Sequence, residues 1–191
     1  MGSPAHNKYG DAIARAVRIM ALMGDARLRP IERETSQALG HAALTSVVAA
    51  WDAYLKELVR NFFSETADPS NPGFHAIHEV ARQASELRAQ RFNTPNWENA
   101  RDFLLLATGF DPIQSWIWPA RNMSAMSVHE RLNEILKVRH SFAHGLAIPS
   151  YEWLRTPRGS VRLNKAVMGG VEAFFNNLVK RTDVGMKNHI A

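Results

Sequence analysis

Cysteine is absent from the 191 residues, so no disulfide braces the fold and no thiolate holds a metal. A chain without thiols fits a reducing compartment. Long apolar runs are missing as well. The longest, such as residues 103–107, fall far short of the ~20 residues that span a bilayer. The first eight residues lack the basic-then-apolar pattern of a secretory signal. Together these absences predict a cytoplasmic protein that does not enter membranes. Internal repeats and low-complexity segments are absent too.

What remains is an ordinary globular composition, 46% hydrophobic and 21% charged. The length suits one domain with a sizeable core, predicted to span residues 1–191. Its core lies at about residues 35–182, with an N-terminal helix over 11–23 appended. The formal net charge of +5 permits contact with a polyanion without requiring it.

The hydrophobic pattern is helical almost throughout. Leu39, Ala43, Val47, Ala50, Tyr54, Leu58 and Phe62 recur three or four apart, predicting one long helix over 31–63. Gly40 weakens it locally without ending it. Proline, glycine and asparagine between 68 and 73 break the chain, and a further helix covers 74–92. Thr94 and Pro95 read as cap and first residue of the next, which closes at Thr108-Gly109. Trp116 and Trp118, in an irregular stretch, are expected to plug the core from a loop. Ser127-Val128-His129-Glu130 reads as a capping box for a helix running to Val138. After a hairpin or loop over 149–164, a last helix occupies 164–182. The fold class predicted is all-α, an antiparallel helical bundle of about five to seven helices.

Chemistry concentrates at the end of the penultimate long helix, in Arg139-His140-Ser141-Phe142-Ala143-His144-Gly145. One permanent cation and two groups that exchange protons near neutral pH stand within six residues. Positions five apart lie about 140° apart around a helix, so Arg139 and His144 do not share a face of a straight one. They converge if the helix ends near His144, as Gly145 suggests, or if a second subunit brings its own copies across a two-fold axis.

Arg-polar-x-x-x-His before a glycine, late in a small all-α chain, resembles the motif of HEPN domains, many of which are metal-independent endoribonucleases. Arg139, His140 and His144 occupy its places, and the family accepts histidine at the second. Residues 50–58 and the segment from Thr94 to Gly109 are similar to the RiboL-PSP and MAE-type branch, in pattern and helix order across about 35–182. The 149–164 loop departs from the compact version. This resemblance implies an endoribonuclease that needs no cofactor and acts as a homodimer on RNA, with a composite cleft at the two-fold axis. It implies too the setting of a toxin or phage-defence effector, with a protein or nucleotidyltransferase-type antitoxin as partner.

The residue types suit that chemistry independently. Cleaving RNA without a metal takes a base for the 2′-hydroxyl proton, an acid for the leaving oxygen and a cation on the phosphate. His144 fits the proton transfer, Arg139 the phosphate, and His140 an assisting or orienting role. Glu57 and Asp52, on the long helix, are equal candidates for a supporting carboxylate. Both also stand at ion-pair spacing from Lys56 or Arg60, the pattern of a solvated face. Arg155, Arg158 and Arg162 are candidates for gripping RNA, or are ordinary solubilising charges. Against catalysis stands a structural account, in which Arg139 is a solvated cation favoured by the helix dipole and His144 caps its carbonyls. A helical module that binds RNA or protein without cleaving it is the functional alternative. His140 and His144 have the spacing of a helical zinc pair, but no third ligand is evident and no metal is expected.

Overall fold

The longest helix organises everything else. In a computed structural model that describes residues 2–25, 27, 30–68, 70–156 and 159–191, residues Arg33–Glu65 are helical without interruption. We call this helix α2; at 1.5 Å per residue it is roughly 50 Å long. The others are α1 (Pro4–Leu22), α3 (Pro72–Arg91), α4 (Trp97–Thr108), α5 (Ala125–Ala143) and α6 (Lys165–Ile190). Among the described residues there is no β-strand, only two isolated bridges. The all-α helical bundle expected from the pattern is what the chain forms.

Side-chain pairings give the helix directions. Lys8 meets Glu57, Thr66 meets His78 and Arg60 meets Glu86, so α1 and α3 both run antiparallel to α2. Tyr9 donates to Asn176 and Ser3 to the buried Asp183, which sets α1 antiparallel to α6. Gly40 abuts Leu163 just before α6, and Tyr54 donates to the Val179 carbonyl further along it. Thus α2 and α6 run parallel. One cluster of buried side chains extends from Ala5 to Met186. At its centre are Trp51, Tyr54, Trp116 and Phe175, all essentially inaccessible.

Helix ends follow capping chemistry, with several differences from the expected boundaries. The first helix begins at Pro4, where Ser3 accepts from the His6 amide and proline takes the first turn. Asn96, not Thr94, caps α4 by accepting from the Asn99 amide. The Pro95 carbonyl is taken instead by the buried Trp51 Nε1–H at 3.1 Å, so Thr94-Pro95 forms a strap before the helix. Ser124, not Ser127, caps α5, and the Ser127 amide is the group it satisfies. Glu130 therefore lies a full turn into the helix. The last helix starts after Asn164, as expected, but runs on to Ile190. The 149–164 stretch holds a short 3-10 turn at Glu152–Leu154 and a single bridge between Arg155 and Val161. Trp116 plugs the core from its loop and donates to Thr182.

Gly40 has a reason that helix propensity does not supply. A Cβ there would lie 2.5 Å from the Leu163 carbonyl oxygen and 2.7 Å from the Leu163 Cβ, so only glycine lets the chain entering α6 lie against α2. Propensity alone would have Gly40→Ala stabilise by about 1 kcal/mol. The expected outcome is the reverse, a loss of about 1–3 kcal/mol from overpacking, read as a lower midpoint in chemical denaturation.

Candidate active site at the end of α5

The last turn of α5 closes in a left-handed reversal. Gly145, at φ 64°, lets its own amide bond to the Phe142 carbonyl and the Leu146 amide bond to that of Ser141. These two bonds satisfy carbonyls that the helix end would leave open. The chain then folds back, and Leu146, Ala147 and Pro149 become a wall beside α5. The opposite wall comes from Thr94, Asn96 and Glu98 at the entrance to α4. Between them lies an open cavity of about 640 Å³, lined also by Arg139, His140, Lys137 and Asn133. The strap on the α4 side is held by Trp51 and by Asn99, whose side chain donates to the Thr94 carbonyl.

Arg139 is half-buried and makes no hydrogen bond or ion pair among the described residues. It also borders a second, smaller cavity of about 290 Å³, with Asp52, Lys56, Thr94 and Leu136 around it. Asp52 sits there with one oxygen accepting from Lys56 Nζ at 2.7 Å. Its other oxygen, Oδ1, is buried without a partner. The same groove therefore holds a guanidinium and a carboxylate oxygen, neither of them satisfied by the fold. Glu57 faces elsewhere: Lys8 of α1 and Arg60 both bind it.

The two histidines form a pair of their own. His140 and His144 are exposed, with ring centroids 4.1 Å apart, as residues one turn apart on a helix should be. His140 faces the larger cavity, and His144 is the residue at which α5 ends. Phe142, between them, stacks face to face on the buried His41 at 3.6 Å. That contact pins the last turn of α5 to the N-terminal part of α2. Arg155 and Arg162 are exposed on the 149–164 stretch and line neither cavity, and Arg158 lies outside the described residues. No three His, Asp or Glu side chains converge as a metal site among the described residues. His75 is exposed, while His78 bonds Thr66 and packs edge-on to Phe63.

The model of the RiboL-PSP-HEPN family matches residues 17–181, and the chain belongs to that family. No curated protein and no solved structure matches it. Among the described residues, no helix is long and apolar enough to cross a membrane.

The histidines that hold the site's frame are buried. His41 packs under Phe142, and His129 stacks on Trp97 at 4.6 Å. Burial pushes both imidazoles below their ordinary value near 6.5. For His129, Arg101 acts in the same direction, while Glu98 and Asp111 oppose it. The unfolded chain thus takes up protons near pH 6.5 that the folded chain refuses, so stability is whole above that pH and falls below it. The melting temperature is expected to drop between pH 7 and 5, before the carboxylates titrate. A variant with His41→Gln and His129→Gln should show a flatter profile over that window.

Proposed function

We propose that the chain is a metal-independent endoribonuclease that works as a homodimer. HEPN-type domains are generally nucleases or otherwise engaged with RNA. The observation that carries the reading is Arg139, half-buried, unpaired among the described residues and open to a groove that His140 shares. A guanidinium left free in this way is suited to grip two oxygens of a phosphate. One histidine takes the proton of the 2′-hydroxyl, whose oxygen attacks phosphorus. The bond to the 5′-oxygen breaks, and a protonated histidine supplies the proton that oxygen needs. His144 is the proton-transfer residue and His140 assists it. Asp52 is a positioning residue, its free Oδ1 drawing on Arg139 across the smaller cavity. Glu57 is not assigned a part, because Lys8 and Arg60 already occupy it.

Dimerisation belongs to the proposal. Phe142 is 49% and Leu146 60% exposed at the same helix end, apolar surface that a second copy would cover while presenting its own His144. The biological role that follows is a toxin or phage-defence effector restrained by a protein or nucleotidyltransferase-type antitoxin.

Purified protein is expected to cut single-stranded RNA in EDTA, leaving 2′,3′-cyclic phosphate ends. Arg139→Ala or His144→Ala should lower the rate by on the order of 10²- to 10⁴-fold, at unchanged melting temperature. Intact RNA across a range of substrates, or a strictly monomeric protein by sedimentation that still cuts, would sink the proposal. The first of these outcomes would favour a non-cleaving RNA- or protein-binding module.

The two carboxylates separate in a second measurement. Asp52→Asn is expected to reduce kcat by on the order of 10- to 100-fold through misplacement of Arg139, with little change in KM. Glu57→Gln should stay within about twofold of wild type, as expected for a carboxylate whose partners are surface cations.

A further inference from the structure

A third cavity, of about 690 Å³, lies between α5 and α6, on the other flank of α5 from His140. Its size is that of a small-molecule site. Two half-buried tryptophans border it, Trp118 from the connector before α5 and Trp153 from the turn before α6. Each carries a guanidinium on its ring: Arg121 at 5.7 Å from Trp118 and Arg131 at 5.4 Å from Trp153. Glu134 fixes one of these pairs by accepting from both Trp153 Nε1–H, at 2.9 Å, and Arg131 Nε. Glu130, one turn away, lines the same cavity and has no partner among the described residues. The α6 wall includes Gly170, where a Cβ would meet nothing. Glycine there costs helix stability and leaves the space empty.

Flat aromatic walls, rim cations and one free carboxylate call for a planar ligand with a polar edge and an attached anion. Nucleotides have that form: any base stacks on aromatic and guanidinium planes, and arginine takes the phosphate. Edge chemistry then selects among the bases. A carboxylate accepts at both oxygens and donates nothing. Of the four RNA bases, only guanine offers two adjacent donors on its pairing edge, N1–H and the 2-amino group. Adenine and cytosine each pair a donor with an acceptor, and uracil flanks its one donor with carbonyls.

We infer that this cavity is a guanine-binding subsite, with Glu130 reading the base edge, Trp118 and Trp153 stacking and Arg121 at the phosphate. It stands on the cavity alone and does not require that the protein cleave RNA.

Tryptophan-fluorescence titration with GMP, IMP, AMP, CMP and UMP tests it. GMP is expected to bind roughly 5- to 150-fold more tightly than AMP, CMP or UMP, the range for one bidentate pair. IMP, which keeps N1–H but lacks the 2-amino group, should fall between. Glu130→Gln should remove most of the preference, and Gly170→Leu, which intrudes on the cavity from its α6 wall, should weaken binding while the melting temperature holds or rises. Arg139→Ala should bind GMP as wild type does, so failure of the cleavage proposal would leave this one untouched. An oligoadenylate with a single internal guanine identifies the source. Binding much tighter than GMP marks an RNA strand, and binding equal to or weaker than GMP marks a free nucleotide. Equal affinity for all bases, wild-type binding by Gly170→Leu, or loss of binding in Arg139→Ala would overturn the inference.

Discussion

The indole of Trp51 is the contact on which the rest of the site depends. Its ring packs against Tyr54, Trp116 and Phe175, with centroids 5.6, 6.2 and 6.1 Å away, and its N–H is spent on the Pro95 carbonyl. A buried tryptophan needs a partner for that N–H, and a proline carbonyl two residues before a helix needs a donor. Each settles the other's requirement. Trp116 continues the chain of contacts edge-on to His129, which stacks on Trp97, the first residue of α4. The circuit returns through Pro95, two residues back. Everything inside it, the strap at Thr94 to Asn96 included, is held from both ends without a disulfide.

That rigidity bears on what Arg139 does. A half-buried cation with no partner is destabilising, because it loses water without gaining an ion pair. Asp52 borders the same small cavity, and its free oxygen is also uncompensated. If stability alone shaped the site, these two would form a salt bridge. Arg139 lines both cavities without a partner among the described residues, while Asp52 Oδ1 is closed off from solvent, a cost of the kind that functional sites show. Lys56 has the opposite role: bonded to Asp52 and set over the Phe92 ring at 5.8 Å, it anchors the carboxylate from behind.

The helical bundle and the broken segments were legible in the chain because periodicity and composition are local. Caps were legible only in part. Thr94 and Asn96, like Ser124 and Ser127, are capping residues a few positions apart, and nothing local says which one the helix uses. Trp51, 44 residues from Pro95, decides the first case. Asp52 and Glu57 looked equivalent for the same reason: each has a cation three or four residues on. What separates them is Lys8, on a helix whose start the pattern placed seven residues too late. The cavity beside Trp153 was harder still, since tryptophans in irregular sequence read as core. Trp116 is core, but Trp118 and Trp153 are only half-buried, and both border the cavity lined by α5 and α6.

The spacing of Arg139 and His144 now has a definite geometry. His144 pairs with His140, one turn before it, and Arg139 turns toward Asp52 and the strap. Within one chain Arg139 lines both cavities at this helix end, whereas His144 lines neither. The reversal at Gly145 sends Leu146 and Ala147 along the groove. On the proposed function, a phosphate held by one Arg139 would receive its proton from the histidines of the second copy, whose approach the exposed Phe142 and Leu146 favour. A monomer could hold RNA through Arg139 and His140. On that reading it would lack a proton-transfer group on the far side of the phosphorus, and dimerisation would supply a reacting group as well as stability.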